Sequence, residues 1–157
     1  MTPADFNAGP LSAAFALLPA AMDSVPARVE IIAICLQESG LIYRRQVGGP
    51  AVGLAQFERG GILGVLRHKA SAWHALQLCN ARGVAPNVDA VYAALPVDDV
   101  LAAGFARLLL WTDPYPLPVI GDEVGAWLLY FRCWRPGLPH RENWPSNYTR
   151  AREALSA

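Results

Sequence analysis

Apolar residues recur along this chain at helical spacing and almost nowhere at the alternating spacing of a strand. Val29, Ile32, Ala33 and Leu36 share one face, and Ile31, Ile34 and Cys35 add a second apolar stripe. A helix apolar on most of its sides belongs at the centre of a fold. The pattern places it from about Val25 to Glu38, with Ser24 as its cap, Pro26 in its first turn and Gly40 suited to its C-terminal end.

The same period recurs downstream. Gly48-Gly49-Pro50 and Gly53 mark a loop, and Gly60-Gly61 a second break before a short helix through Ile62, Val65 and Leu66. Ser71 to Ala81 reads as a helix ending near Gly83. Asn87 can cap a helix from Val88 to Leu95, and Asp98 a strongly apolar one through Leu101, Phe105, Leu108, Leu109 and Trp111. Asp113-Pro114-Tyr115-Pro116-Leu117-Pro118 disfavours helix and makes a stiff connector. Gly121 to Cys133 is the next helix, Trp134-Arg135-Pro136-Gly137 a turn after it, and Ser146 to Leu155 a final amphipathic helix. The fold expected is mainly α, about seven or eight helices in one domain over residues 1–157.

Composition sharpens this. Of 157 residues, 54% are hydrophobic and 17% charged, enough apolar surface for a large core. Thirteen basic residues balance thirteen acidic ones, which argues against nucleic-acid binding through bulk charge. The three cysteines, Cys35, Cys79 and Cys133, show no CxxC spacing, so neither a disulfide framework nor a zinc site is expected. His68 and His74 are not three or four residues apart, as ligands sharing a helix face would be. The 11–22 stretch is apolar but short and broken by Pro19, and Met1-Thr2-Pro3-Ala4-Asp5 lacks a basic leader, so no membrane insertion and no signal peptide are expected.

The candidate chemistry centres on Glu38, which closes the apolar run Ala33-Ile34-Cys35-Leu36-Gln37-Glu38-Ser39-Gly40. Glutamates at helix ends are mostly solvated, but an apolar setting raises a carboxyl pKa and makes a general acid near neutral pH. After a glycine-rich loop comes Gly53-Leu54-Ala55-Gln56-Phe57-Glu58. Gly53 permits close backbone approach, and Gln56 offers an amide donor and acceptor to sugar hydroxyl and acetamido groups. Tyr130, far downstream, can bring a phenol to Glu38. Tyr43, Phe57 and Tyr115 lie in loops as candidates to stack on sugar rings, whereas Trp111, Trp127 and Trp134 read as core. Glu58 reads as a solvated glutamate at a helix start.

Glu38-Ser39, then Gly53-Leu54-Ala55-Gln56, then an aromatic helix bearing Tyr130, resembles the soluble lytic transglycosylases and their relatives of goose-type lysozyme fold. That family carries a Glu-Ser pair, a Gly-Leu-Met-Gln segment and a later Ala-Tyr-Asn segment. Ala55 stands where Met is usual, and Leu129-Tyr130-Phe131 has Phe131 where Asn is usual. The resemblance covers roughly residues 27–135 and implies a lysozyme-like fold that cleaves the peptidoglycan glycan strand between N-acetylmuramic acid and N-acetylglucosamine. It implies Glu38 as the catalytic acid and then base, forming an anhydromuramyl end, and Ser39, Gln56, Tyr130, Tyr43 and Phe57 as substrate-binding residues. No metal or other cofactor and a monomeric state are expected. The small size resembles a phage lysis or virion-associated enzyme, made in the cytoplasm and acting on the wall after release or from a particle. Two alternatives are a hydrolytic muramidase of the same fold, with a water held by Glu58 or another acid, and a structural or glycan-binding module without catalysis.

Overall fold

The computed structural model describes residues 1–156 and is mainly helical. The first helix begins at α1 (Pro3–Phe6), passes through a π turn (Asn7–Leu11) and continues as α2 (Ser12–Ala16). Thr2 caps α1 by accepting from the Asp5 amide at 3.1 Å, while the Asp5 carboxylate takes the Thr2 amide and hydroxyl. Pro10 sits inside the π turn, where the widened backbone accommodates a residue that lacks an N–H. The sequence pattern did not predict helix here, because Gly9-Pro10 interrupts the period.

The central helix is α3 (Val25–Ser39), one residue longer than its pattern indicates. The Ser24 hydroxyl accepts from the Ala27 amide, and Gly40 closes the helix in the left-handed region at φ 64°. Around it follow α4 (Arg59–Arg67), α5 (Ala72–Ala81), α6 (Val88–Ala94) and α7 (Asp99–Trp111). Asn87 and Asp98 cap α6 and α7 as their sequence suggests, at 2.9 Å each. The last helices are α8 (Glu123–Trp134) and α9 (Trp144–Glu153). Taking α1, the π turn and α2 as one continuous helix, the described residues hold eight α-helices and no strand. Only isolated antiparallel bridges join Val52 to Arg45 and to Phe57.

The buried side chains form one cluster. Ile31, Ile32, Ile34 and Ala33 on α3 are fully enclosed, as are Phe105, Leu108 and Leu101 on α7. Each such aliphatic side chain stabilises the fold by roughly 1.5–3 kcal/mol. α3 packs chiefly on α9 and also touches α7, α8 and α1, while α7 bridges to α4, α5 and the N-terminal helix. That arrangement leaves the C-terminal ends of α3 and α8 side by side, facing the 41–58 loop. Among the described residues no helix is long and apolar enough to cross a membrane.

Candidate active site

Glu38 occupies the last turn of α3, where the apolar face that buries the helix runs out into a cleft. The loop after it doubles back, with paired backbone bonds between Val52 and Phe57 (3.0 and 2.8 Å) and from the Gly53 amide to the Arg44 carbonyl (2.9 Å). Gly53 has φ 76°, a conformation that favours glycine, and a Cβ there would stand a tight 3.2 Å from the Leu95 Cβ. Arg44 holds the loop to the start of α7 by a two-pronged ion pair with Asp99 (2.8 and 2.6 Å).

The Gly-Leu-Ala-Gln segment is pinned from both sides. Ser39 Oγ donates to the Leu54 carbonyl at 2.6 Å and lies 2.9 Å from the Cys35 carbonyl, while accepting from the Leu41 amide. Trp134 Nε1 on α8 donates to the neighbouring Ala55 carbonyl at 2.8 Å. The Gln56 amide Nε2 folds back on the Gly53 carbonyl (2.8 Å) and reaches the Tyr43 carbonyl (3.4 Å). Gln56 itself adopts φ 50°, a left-handed conformation uncommon outside glycine. Its Oε1 has no hydrogen bond among the described residues and stays available to a ligand.

Tyr130 completes the group. Its hydroxyl donates to Glu38 Oε1 at 2.6 Å. The phenol is 2% exposed and stacks on Trp144 (centroids 5.1 Å apart, planes 13°), with Trp127 at 5.3 Å. Such packing fixes the ring, so the hydrogen bond needs no side-chain ordering when a substrate arrives. Burial pushes the Glu38 pKa up, and the Tyr130 hydrogen bond, which favours the carboxylate, offsets only part of that. Burial, then the adjacent Glu38 charge and hydrogen bond, push the Tyr130 phenol upward, so it remains a donor at neutral pH.

The cleft over these groups has a volume of about 610 Å³, and Glu38, Gln56, Glu58 and Tyr130 line it. Its far wall is Trp134 to His140, a segment whose sequence predicts only a turn. Gln37 holds that wall in place: its Nε2 donates to the Pro139 and His140 carbonyls (2.8 and 3.0 Å), and its Oε1 accepts from Asn147 at 2.9 Å. The Glu-Ser pair thus has a third working neighbour in Gln37, which no motif marks. Cys133 also lines the cleft, but burial pushes its thiol up to about 12, so it offers no thiolate. Glu58 is exposed at the mouth.

Four other candidate residues, Ser39, Phe57, Tyr43 and Tyr115, are placed as follows. Ser39 is buried, and its hydroxyl is committed to the protein backbone, where it anchors the loop. Phe57 is 2% exposed, its ring edge-on to Phe105 and tilted on Trp134 (5.9 Å), so only its margin reaches the cleft floor. An apolar ring flanked by the two legs of a tight turn is drawn into the core. Tyr43 is 57% exposed but outside the cleft lining, and only its carbonyl touches the group, through Gln56. Tyr115 likewise lies elsewhere, under the Arg132 guanidinium.

Deeper in α3 lies a residue the pattern does not reveal. Glu30 is 2% exposed, and its Oε1 has no hydrogen-bond partner. Burial raises its pKa well above the carboxyl range, against a smaller opposing effect of the Arg132 charge. No protein-family model matches this chain, and neither the curated proteins nor the solved structures include a significant match to it.

Proposed function

We propose that this chain is a lysozyme-like enzyme cutting the glycan strand of peptidoglycan, as a lytic transglycosylase, with Glu38 as its acid and base. The observation that carries the reading is the Tyr130 hydroxyl on Glu38 Oε1 at 2.6 Å inside a cleft. A carboxyl with a raised pKa keeps its proton to higher pH than a solvated one and can deliver it to a glycosidic oxygen. Tyr130 contacts one carboxyl oxygen, which leaves Oε2 to face the substrate. Once the proton has gone, the same hydrogen bond stabilises the carboxylate. That carboxylate then takes the proton of the muramyl C6 hydroxyl as this oxygen attacks its own anomeric carbon, closing the anhydro ring without water.

Gln56 Oε1 is free to accept from a sugar hydroxyl or acetamido N–H, and its left-handed backbone holds it at the cleft floor. The polar and aromatic lining suits a saccharide, and one buried acid suits the single-carboxyl scheme rather than the two-carboxylate one. The motif order Glu38-Ser39, Gly53 to Gln56 and Tyr130 supports the same family reading.

A hydrolytic muramidase is the second reading, because Glu58 lines the same cleft and makes no side-chain hydrogen bond among the described residues. Digestion of purified sacculi followed by mass spectrometry separates the two. Anhydromuramyl ends are expected, and reducing muramyl ends would assign hydrolysis with Glu58 as its candidate base. Tight binding to sacculi without any cleavage would instead leave a glycan-binding module.

A further inference from the structure

A second pocket, of about 300 Å³, opens between the 20–24 turn, the end of α7 and the proline-rich connector. Arg107 forms part of its wall and is 3% exposed. The Arg107 Nε donates to the Met22 carbonyl at 2.8 Å, but Nη1 is sealed from solvent with no partner. Nη2 has no acceptor among the described residues either. Trp111 lies against the guanidinium face, 4.8 Å from centroid to Cζ. A buried cation without a carboxylate partner is costly, and such groups are normally paired. Asp23 is close enough to act on Arg107 through its charge, yet its oxygens are taken by Arg28 (2.7 Å each). Asp113, also in the pocket wall, is committed to Arg132 (2.6 and 3.1 Å) and to the Tyr115 amide (3.0 Å). Burial lowers the Arg107 pKa to about 10, which still leaves it charged at neutral pH.

We propose that this pocket is a binding site for a monoanionic carboxylate carried on a small apolar body, with Arg107 as its counter-ion. An acceptor entering from the pocket is met by Nη2, the one guanidinium nitrogen that is neither bonded nor sealed, while the unpartnered charge behind it favours an anion. Apart from Ser24 and Asp113 the rest of the lining is apolar or aromatic, with Trp111, Tyr115, Pro116 and Leu117 suited to the body of the ligand. A dianion such as phosphate is disfavoured, because there is one uncompensated cation and Asp113 adds negative charge nearby. Two sources supply this chemistry: a free organic acid, or the C-terminal carboxylate of a short apolar peptide. The site does not depend on what Glu38 does.

Binding is measured by nitrogen–proton correlation spectra of the intact protein, following the Trp111 indole and the Arg107 Nε–H. The probes are benzoate, N-acetyl-alanyl-alanine, benzyl alcohol and inorganic phosphate. Saturable shifts at both signals with benzoate or the dipeptide are expected, the tighter of the two naming the source. Benzyl alcohol should leave both signals in place. Arg107→Met should weaken binding roughly tenfold or more while the protein stays folded, since an apolar isostere removes a buried unpaired charge. Ala21→Trp, at an exposed position on the rim, should block the pocket without touching the core. Equal shifts with benzyl alcohol, preference for phosphate, no shift with either carboxylate, or unchanged benzoate affinity in both variants would overturn the proposal.

Discussion

Two glutamates on α3, about two turns apart, meet burial in opposite ways. Glu30 is enclosed in mid-helix, 2% exposed, with Oε1 unpartnered. Glu38 is half-buried at the helix end, bonded to a packed tyrosine and open to a cleft. Burial raises both pKa values. A held proton is therefore not enough to make an acid catalyst. The proton must also reach a substrate, and the carboxylate left behind must find a donor already in place. Only the Glu38 end of the helix provides both.

The largest expected effect lies in exchanging the two. Glu38→Gln should cut sacculus-lysing activity by about 10²–10⁴-fold with the fold retained. Glu30→Gln should leave lysis within about twofold, because removing a group that touches no substrate changes stability rather than rate. A turbidity assay on both variants tests the contrast, and equal losses would break it.

Tyr130→Phe sharpens the comparison by making Glu38 more like Glu30. Without the hydrogen bond that favours the carboxylate, the Glu38 pKa rises further, so the alkaline limb of the activity profile should move to higher pH. The rate at the optimum should fall roughly tenfold through loss of a charge-assisted hydrogen bond. An activity profile across pH that moved the other way would remove Tyr130 from the mechanism.

Ser39→Ala should destabilise by about 1–3 kcal/mol, since the buried Leu54 carbonyl loses its side-chain donor. Urea denaturation measures this. A normal stability with lost activity would restore the serine as a ligand contact.

The smallest effect concerns pH and stability. For both glutamates the folded pKa lies above the unfolded one, so the native state holds the extra proton between those two values. Their contribution to stability therefore declines as pH rises from the ordinary carboxyl range through the folded pKa, and it is recovered on acidification. Glu30→Gln should thus raise stability at pH 8 and lose that advantage near pH 4. Denaturation midpoints at both pH values check the sign.

Helix existence was readable because the signals are local. Ser24, Asn87 and Asp98 each cap the helix that their position announces, and Gly40 ends α3 in the conformation that glycine tolerates best. The N-terminal helix escaped because Gly9-Pro10 reads as a break, although Thr2-Pro3-Ala4-Asp5 carries a cap signal. The pairing of Glu38 with Tyr130 rested on a resemblance of motifs, and the two groups do meet across 92 positions of chain. Nothing local distinguishes Phe57 as a core ring from Phe57 as a platform, or Ser39 as a loop anchor from Ser39 as a ligand contact. Those outcomes depend on which carbonyls and rings come close after folding.

The sequence by itself determined the helical class, most helix limits and the residue types able to do acid chemistry, since propensity, capping and apolar period act over a few residues. Tertiary structure alone decided that Glu30 is sealed while Glu38 is served by a phenol, that Gln37 braces the Trp134 to His140 wall, and that Arg107 sits without a carboxylate partner. Solvent access and hydrogen-bond partners are set by segments distant in the chain, and it is these that give a carboxyl or a guanidinium its chemistry.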